Sequence, residues 1–557
     1  MNRRIVRAAV AGVAAVSLAI TGLVAVGSAS ADTPPRRIVN GWLPYYSMPA
    51  SLNSVTANAD LWSVASPFWY QATGATTIAK HANAAGVTDS SVVDALRANG
   101  IKVVPTVTET LNAAAMAALL GDATQRAAHV TTLVNLVTVN AYDGIDLDYE
   151  TMNTGTATDK AKVRTGFVTF IRELGAALDA RGKLLSIAVG PQTSATSGWA
   201  VFDYAGLGPS VDRFRIMTYD YHWRNGTAGA VAPLTWVNAV LTYAVTAVTR
   251  SKIEIGVPLY GYDWPVDATQ PDGYGTATSV TYTAAEALRA QYGAVRQWSG
   301  TDAAPWFTYT TATGVKHVVW YNDTYSTQAK MTLIPKYGVQ GLAFWAVGAE
   351  DTRQWPALRS YAIQRTTKIS ISAPSAVTYG TAATVTGKVT TSTGAAAAGQ
   401  KVVLQWQPTG STTWTTVATG TASSTGTVSL RYTPSRNGSF RLYAYASWTY
   451  LASASTSVST LVRWRVSAAF YDSTVTRGTT IRLNGKVAPI RSGTAVQRQR
   501  YVNGAWTTVA STTVRTDGTF GFTFTWYTAG TYTYRVIAPG TTLNATGVSP
   551  TLKVYVS

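Results

Sequence analysis

Between Ile38 and about Ala362, eight short apolar runs rich in β-branched residues alternate with Ala-rich amphipathic stretches, and few folds accept that rhythm. The runs are Ile38–Tyr46, Leu61–Trp69, Ile101–Glu109, Tyr142–Glu150, Leu184–Val189, Phe214–Tyr221, Ile253–Tyr260 and Gly341–Val347. Helical periodicity between them is clearest over Leu111–Val139, Thr158–Arg181, Leu234–Thr249 and Thr327–Tyr337. Parallel strands need a crossover connection, and a helix is the usual one, so this alternation predicts a parallel sheet covered by helices. Eight units in about 325 residues fit a closed (β/α)8 TIM barrel. A small α+β insertion is expected between strands 7 and 8, over 261–322. It carries a turn signal at Gln270-Pro271-Asp272-Gly273, a short helix near Thr283–Gln291, and strands around Trp306–Thr310 and Lys316–Trp320.

After Ala362 the helical pattern vanishes. Thr, Ser, Val, Arg and Gly dominate, aromatics fall at alternating positions, and turns recur about every ten residues, as in antiparallel sandwiches. The segment repeats itself. Gly387-Lys388-Val389 recurs as Gly485-Lys486-Val487, Trp414-Thr415-Thr416-Val417-Ala418 as Trp506-Thr507-Thr508-Val509-Ala510, and Asn437-Gly438-Ser439-Phe440-Arg441 has a counterpart in Ala529-Gly530-Thr531-Tyr532-Thr533. The period matches one immunoglobulin-like β-sandwich, so two all-β copies follow the barrel. The expected division is 1–31 leader, 32–365 barrel, 366–462 first sandwich and 463–557 second sandwich.

Charge separates the same modules. The chain's formal net charge is +18, and residues 366–557 hold 17 Lys/Arg against only Asp472 and Asp517. The barrel segment 32–365 is neutral, with 25 basic and 25 acidic residues. Hydrophobic residues at 46% and charged residues at 13% exclude a disordered solvating protein. The absence of cysteine excludes disulfide frameworks, thiolate metal sites and cysteine nucleophiles. Arg3, Arg4 and Arg7 precede an apolar stretch, Ala8 to Val26, and Ala29-Ser30-Ala31 supplies a small-residue cleavage pattern. This reads as a secretory signal peptide, an uncleaved anchor being the alternative, and no other stretch could span a membrane. Export to the extracellular space is the expectation, with the mature chain either released or held non-covalently at the cell wall.

The chemistry concentrates in Tyr142-Asp143-Gly144-Ile145-Asp146-Leu147-Asp148-Tyr149-Glu150. Alternate side chains of a strand share a face, so Asp146, Asp148 and Glu150 point into the barrel while Ile145, Leu147 and Tyr149 meet the helices. Two residues span roughly 6.6–6.8 Å along a strand, which makes Asp148 and Glu150 neighbours at the C-terminal mouth. Crowded carboxyls in a partly desolvated site raise at least one pKa and keep an acid protonated near neutrality, which suits proton donation to a glycosidic oxygen. A divalent-cation site is the competing reading, but no glycine-turned loop of oxygen ligands surrounds the run. The four histidines (His81, His129, His222 and His317) lack metal spacing, so neither a metal nor a cofactor is expected.

The acidic run resembles the D-x-x-D-x-D-x-E signature of glycoside hydrolase family 18, which includes chitinases and N-acetylglucosaminidases. Val39-Asn40-Gly41-Trp42-Leu43-Pro44-Tyr45-Tyr46 is similar to the family's first strand, Ile216-Met217-Thr218-Tyr219-Asp220 to its M-x-Y-D element, and Gly341-Leu342-Ala343-Phe344-Trp345 to its eighth strand. Gly261-Tyr262-Asp263-Trp264 and His317-Val318-Val319-Trp320-Tyr321-Asn322-Asp323 look most like the branch of spore-cortex peptidoglycan glucosaminidases, although the acidic strand keeps all its aspartates, as in true chitinases. The resemblance covers about 38–360 and leaves chitin and peptidoglycan both open.

It implies a retaining hydrolase of β-1,4-linked N-acetylglucosamine polymers in which the sugar's own 2-acetamido group is the nucleophile. Glu150 would be the acid and then the base. Asp148 would hold the acetamido N–H, Asp146 would share a proton with Asp148, and Tyr219 would donate to the acetamido oxygen. Trp345 would floor the sugar, with Asp220 and Met217 of the M-x-Y-D element beside it; Tyr45 and Phe68, aromatics near strand ends, complete the substrate set as candidate sugar platforms. Asp143 is expected to brace the strand. Trp69, Tyr260, Trp264 and Trp320 are further candidate platforms, and His222 a candidate cleft residue. Arginines of the basic tail beside strand aromatics, as in Arg463-Trp464-Arg465 and Arg498-Gln499-Arg500-Tyr501, read as solvent-facing charges alternating with core residues or as a means of electrostatic retention on an anionic wall; no nucleic-acid motif is present, and the chain is expected to act as a monomer. A non-catalytic wall-binding lectin using the same cleft is the alternative, and retention of Glu150 argues against it.

Overall fold

The computed structural model describes residues 35–557, apart from 82, 83, 85–89, 268, 271, 272 and 274. The expected leader and part of the Gln270–Gly273 turn lie outside the described residues. The chain divides into two compact units at Gln364–Arg365.

In the first unit eight parallel strands close a barrel: β1 (Val39–Pro44), β2 (Val64–Ala72), β3 (Thr106–Glu109), β4 (Gly144–Asp148), β5 (Leu184–Val189), β6 (Arg213–Ile216), β7 (Ile253–Pro258) and β8 (Gly341–Trp345). Each pairs with its neighbour in order, and β1 closes the ring on β8 through Val39↔Leu342 and Gly41↔Phe344. The eight expected runs thus become the eight barrel strands. The Leu111–Val139 stretch divides into two helices, Ala113–Gly121 and Ala123–Val139, because the Asp122 carboxylate accepts the Gln125 N–H at 2.9 Å and starts a new helix. Thr327–Tyr337 likewise becomes Thr324–Met331 and Leu333–Tyr337. Helix Ala157–Asp179 shows why these elements hold. Thr156 caps it by accepting the Asp159 N–H, and Val163, Phe167, Phe170, Ile171, Leu174 and Leu178 form one buried stripe against the sheet. Each such side chain contributes about 1.5–3 kcal/mol.

The insertion after β7 is a five-stranded antiparallel sheet (order Thr278–Thr281, Tyr260–Val266, Lys316–Trp320, Ala304–Thr310, Gln297–Ser299) with helix Tyr282–Gln291. Two of its expected strands and its helix are present; Tyr260–Val266, which continues the chain almost directly from β7, is its central addition. No helix among the described residues is long and apolar enough to cross a membrane.

The barrel interior is layered by strand parity. Its lower layer is charged: Asn40, Ser66, Thr106, Asp146, Arg215 and Glu254 are all buried. Arg215 lies between two acids, with Nη1 3.2 Å from Asp146 Oδ1 and Nε 3.1 Å from Glu254 Oε2, and it also donates to Ser66 Oγ at 2.7 Å. Glu254 further accepts from Asn40 Nδ2 at 2.7 Å and from Arg213. Trp42, Ala188, Met217 and Ala343 form the apolar layer toward the C-terminal mouth.

The second unit, Arg365–Ser557, holds two sandwiches of the same topology, each a three-stranded and a six-stranded sheet. In the first, Val385 and Val389 from one sheet meet Val402, Leu404, Trp406, Phe440 and Leu442 from the other in a single core. The second repeat replaces two inward positions: where the first has Leu404 and Trp406, the second has Arg498 and Arg500. Arg498, only 8% exposed, lies 3.5 Å over the Phe524 ring, and Arg500 lies 4.7 Å over Trp526. The expectation that arginines of this segment face solvent therefore fails at Arg498, which is held by cation–π contacts in the interior, but holds at Arg463 and Arg465, exposed on either side of buried Trp464. Two asparagines fasten the junction between the sandwiches. Asn437 accepts the Val462 N–H at 2.8 Å and donates to the Thr542 carbonyl at 3.1 Å, while Asn544 donates to the carbonyls of Ser435 and Val462.

Candidate active site

The site is set by the end of β4. Tyr149 points outward and is buried against the helices, where its hydroxyl donates to His129 Nε2 at 2.9 Å while His129 Nδ1 donates to the Ala75 carbonyl. That anchor fixes the strand's rotation and forces Asp148 and Glu150 inward on either side of it. Asp143 accepts the Val103 N–H at 2.8 Å and braces β4, as expected.

Asp148 is 8% exposed. Burial, then the charges of Glu150 and Asp146, hold its carboxyl well above the usual range. Glu150 opens into the cleft, and burial raises its pKa too, with the Asp220 carboxylate adding to the rise and a hydrogen bond from Asp148 opposing it. The two carboxyls retain a proton between them to higher pH than isolated carboxyls would, because ionising both would place like charges side by side. Asp146 Oδ2 accepts from Trp42 Nε1 at 2.8 Å and Thr106 Oγ1 at 2.9 Å, and its Oδ1 faces Arg215 at 3.2 Å, so an ion pair and two hydrogen bonds fix the side chain in place.

Tyr219 follows β6, and its ring edge is admitted by Gly256, where a Cβ would lie 3.0 Å from the ring and 2.4 Å from the Ile216 carbonyl. Burial and the surrounding carboxylates push its hydroxyl far up, so it remains a donor. Asp220 sits in the left-handed region, at φ +56°, and accepts from the hydroxyls of Tyr260 and Tyr262 at 2.6 and 3.0 Å.

These groups line a cleft with about 260 Å³ of open space, bounded by Asp148, Glu150, Tyr219, Asp220, Met217 and Trp345. Phe68, also in its wall, lies 5.2 Å from Trp345, centroid to centroid. A second space of similar size shares Asp220 and Trp345 and runs along Tyr260, Tyr262 and the insertion strand Thr278–Thr281. Tyr45 does not line the cleft: its ring packs on His81, which in turn stacks on Phe68, one layer behind the wall. Of the further platform candidates, Trp69 and Trp264 are buried in the core, Trp320 stacks on Trp306, and Tyr260 reaches the second space. His222 is occupied by Thr227 and is not in the wall.

The sequence reading omitted several residues. Trp42, Trp199 and Trp236 line the cleft, Trp199 from a loop with no periodic signal and Trp236 from the first turn of helix Leu234–Ala247. Arg215 and Glu254 were visible as alternate inward positions of β6 and β7. Glu109, at the end of β3 and 4% exposed, accepts the Met152 N–H at 2.6 Å and so ties down the turn that follows Glu150. Burial, with Glu150 nearby, raises its carboxyl to about 7. Among the described residues no His, Asp or Glu group is arranged to hold a metal ion.

Residues 68–350 match the family model described as glycosyl hydrolases family 18. The chain is 30% identical over 243 residues to the cortical fragment-lytic enzyme of Bacillus anthracis, covering 43% of this chain and 54% of that protein. It is 24% identical over 280 residues to the di-N-acetylchitobiase of Mus musculus, covering 43% and 72%. Two solved structures align with a TM-score of 0.52 and 25% identity over 58% of this chain. They are the Bacillus cereus spore cortex-lytic enzyme SleL, 74% covered, and a chitinase from Chromobacterium violaceum, 98% covered. The chain spans about half the length of the cortical fragment-lytic relatives it matches.

Proposed function

The chain belongs to glycosyl hydrolase family 18, and on that premise we propose that it is a retaining hydrolase of β-1,4-linked N-acetylglucosamine polymers acting by substrate assistance. The observation that carries this reading is the pair Asp148 and Glu150 lining one cleft with Tyr219 and Trp345, where burial raises both carboxyls.

The chemistry follows from that pair. Glu150 gives the shared proton to the glycosidic oxygen as its bond to the anomeric carbon breaks, and the substrate's acetamido oxygen closes onto that carbon. The product is an oxazolinium cation beside two carboxylates, whose charge offsets its own. Asp148 accepts the acetamido N–H, the Tyr219 hydroxyl donates to the acetamido oxygen and orients it, and Trp345 offers an apolar floor to the ring. Glu150, now a carboxylate, takes a proton from water as the water opens the cation, which restores the pair and retains configuration. Burial, then Glu150 and Asp146, favour Asp148 in its protonated form until the cation develops, and the ion pair to Arg215 keeps Asp146 in place.

The arginine-led apolar segment at 1–31 supports action outside the cell, and the +15 charge of 366–557 supports salt-sensitive retention on an anionic wall. The test is Glu150→Gln against wild type on chitin oligosaccharides and on purified peptidoglycan, with products read by mass spectrometry. Loss of about 10²–10⁴-fold in turnover is expected; unchanged turnover on both substrates would remove the proposal, and the substrate that wild type cleaves identifies the polymer.

A further inference from the structure

Each sandwich carries the same three-residue cluster on the outer face of its larger sheet. In the first, the Arg441 guanidinium lies 4.4 Å over the Trp414 ring and donates through Nε to Gln405 Oε1 at 2.7 Å. In the second, Arg535 lies 4.5 Å over Trp506 and donates through Nε to Gln499 Oε1 at 2.9 Å. Arginine and glutamine are paired across adjacent strands in both repeats, and all six side chains are half-buried.

Two observations separate these clusters from ordinary surface packing. The inward residues on either side of each glutamine have diverged, Leu404 and Trp406 against Arg498 and Arg500, while the outward cluster is the same. A cluster kept only to support the core would be expected to change with it. The second observation is charge. Among the described residues every ion pair falls between residues 60 and 359, so none of the 17 Lys/Arg after residue 365 has a carboxylate within 4.0 Å. With Nε held by glutamine, Nη1 and Nη2 of Arg441 and Arg535 donate to no group among the described residues. The indole fixes the guanidinium plane and the glutamine fixes its rotation, so each fork is preorganised for a planar oxyanion. The exposed part of the indole beside it offers an apolar contact to a sugar face.

We infer that Trp414–Arg441–Gln405 and Trp506–Arg535–Gln499 are paired binding sites for peptidoglycan, each fork taking a stem-peptide carboxylate while the neutral glycan lies along the indole. This rests on the wall-hydrolase reading above and narrows it, since chitin carries no anion for the forks. The asparagine-fastened junction keeps the two sites at a fixed separation, so both engage one polymer mesh and their affinities reinforce each other.

The experiment measures retention of the full chain at low salt on sacculi stripped of phosphate polymers, on unstripped sacculi and on chitin. Arg441→Gln with Arg535→Gln should weaken retention on stripped sacculi by at least about tenfold, each single change by less, with the melting temperature unaltered. Arg441→Lys with Arg535→Lys keeps the charge but not the fork and should still weaken retention severalfold. Undiminished retention of the double Gln variant overturns the inference. So does wild-type binding that vanishes when phosphate is stripped, which would make a phosphate polymer the partner, or binding to chitin as strong as to sacculi. Turnover of soluble oligosaccharides by both proteins is measured alongside: it should be equal, and its absence in wild type would sink the hydrolase reading without touching the retention result.

Discussion

Glu109→Gln isolates a buried acid that sits behind the catalytic turn. The glutamine keeps the side chain's volume and a carbonyl oxygen for the Met152 N–H, so only the titrating group is removed. Burial raises the Glu109 carboxyl from 4.5 to about 7. The folded chain therefore binds this proton more tightly than the unfolded chain. Its stabilising effect is complete below about pH 4.5 and is lost as the pH rises through about 7. At about 1.4 kcal/mol per pH unit the whole effect is about 3 kcal/mol. Asp148, Glu150 and Tyr149 face Glu109 in both proteins, so their own titration largely cancels in the difference. Urea melts of the full chain at intervals between pH 4 and pH 8 should show the variant gaining on wild type by about 3 kcal/mol across that range. The alkaline limb of kcat/KM should move to lower pH, since the Asp148–Glu150 pair loses a neighbouring negative charge. A stability difference that stays flat between pH 4 and pH 8, or grows in favour of wild type, would refute the argument.

Three other outcomes are expected. Arg215→Leu leaves Asp146 buried without a guanidinium and Glu254 with that of Arg213 alone, and should destabilise the barrel by about 3–5 kcal/mol in a denaturant melt; a loss below about 1 kcal/mol would refute the charged layer as a support of the barrel. Tyr219→Phe should lower kcat by about 10²–10³-fold while the melting temperature stays put, because the hydroxyl is a donor rather than a support. Trp345→Ala should raise KM for oligosaccharides about tenfold, with kcat changed less, whereas an equal fall in kcat and kcat/KM at unchanged KM would place the contact in the transition state rather than under the bound sugar.

Local pattern carried the barrel a long way. Period-two alternation put Asp146, Asp148 and Glu150 on the inner face, and the outward neighbours Ile145, Leu147 and Tyr149 are indeed buried against helices. What alternation could not supply was the company each side chain keeps. Asp146 meets Arg215 and Glu254 only because β4, β6 and β7 curve round one axis, and that long-range encounter decides that the aspartate is an ion-pair partner. Tyr45 was assigned to the cleft from its place at a strand end, yet His81, from a different segment, fills the space in front of it. Trp199 reaches the cleft from a loop, where no periodicity marks direction, and Trp236 from the start of a helix, whose periodicity does not say which end meets the cleft. In the tail, the same alternation named the inward positions correctly but charge was read as a sign of solvent, and Arg498 shows that a ring of aromatics can house a guanidinium instead.

The unlike interiors of the two tail repeats also bear on how the chain reaches its folded form. Neighbouring domains of shared ancestry can trade equivalent strands while they emerge and collapse, a trap that grows with their likeness. Here an exchange of Lys401–Pro408 for Ala495–Val502 would push two cations into a core of valines, leucines and Phe440 on one side and leave a tryptophan and a leucine facing the rings that hold the guanidinium groups on the other. The mismatch makes the hybrid the costlier product, so each newly made copy is steered to close on its own strands.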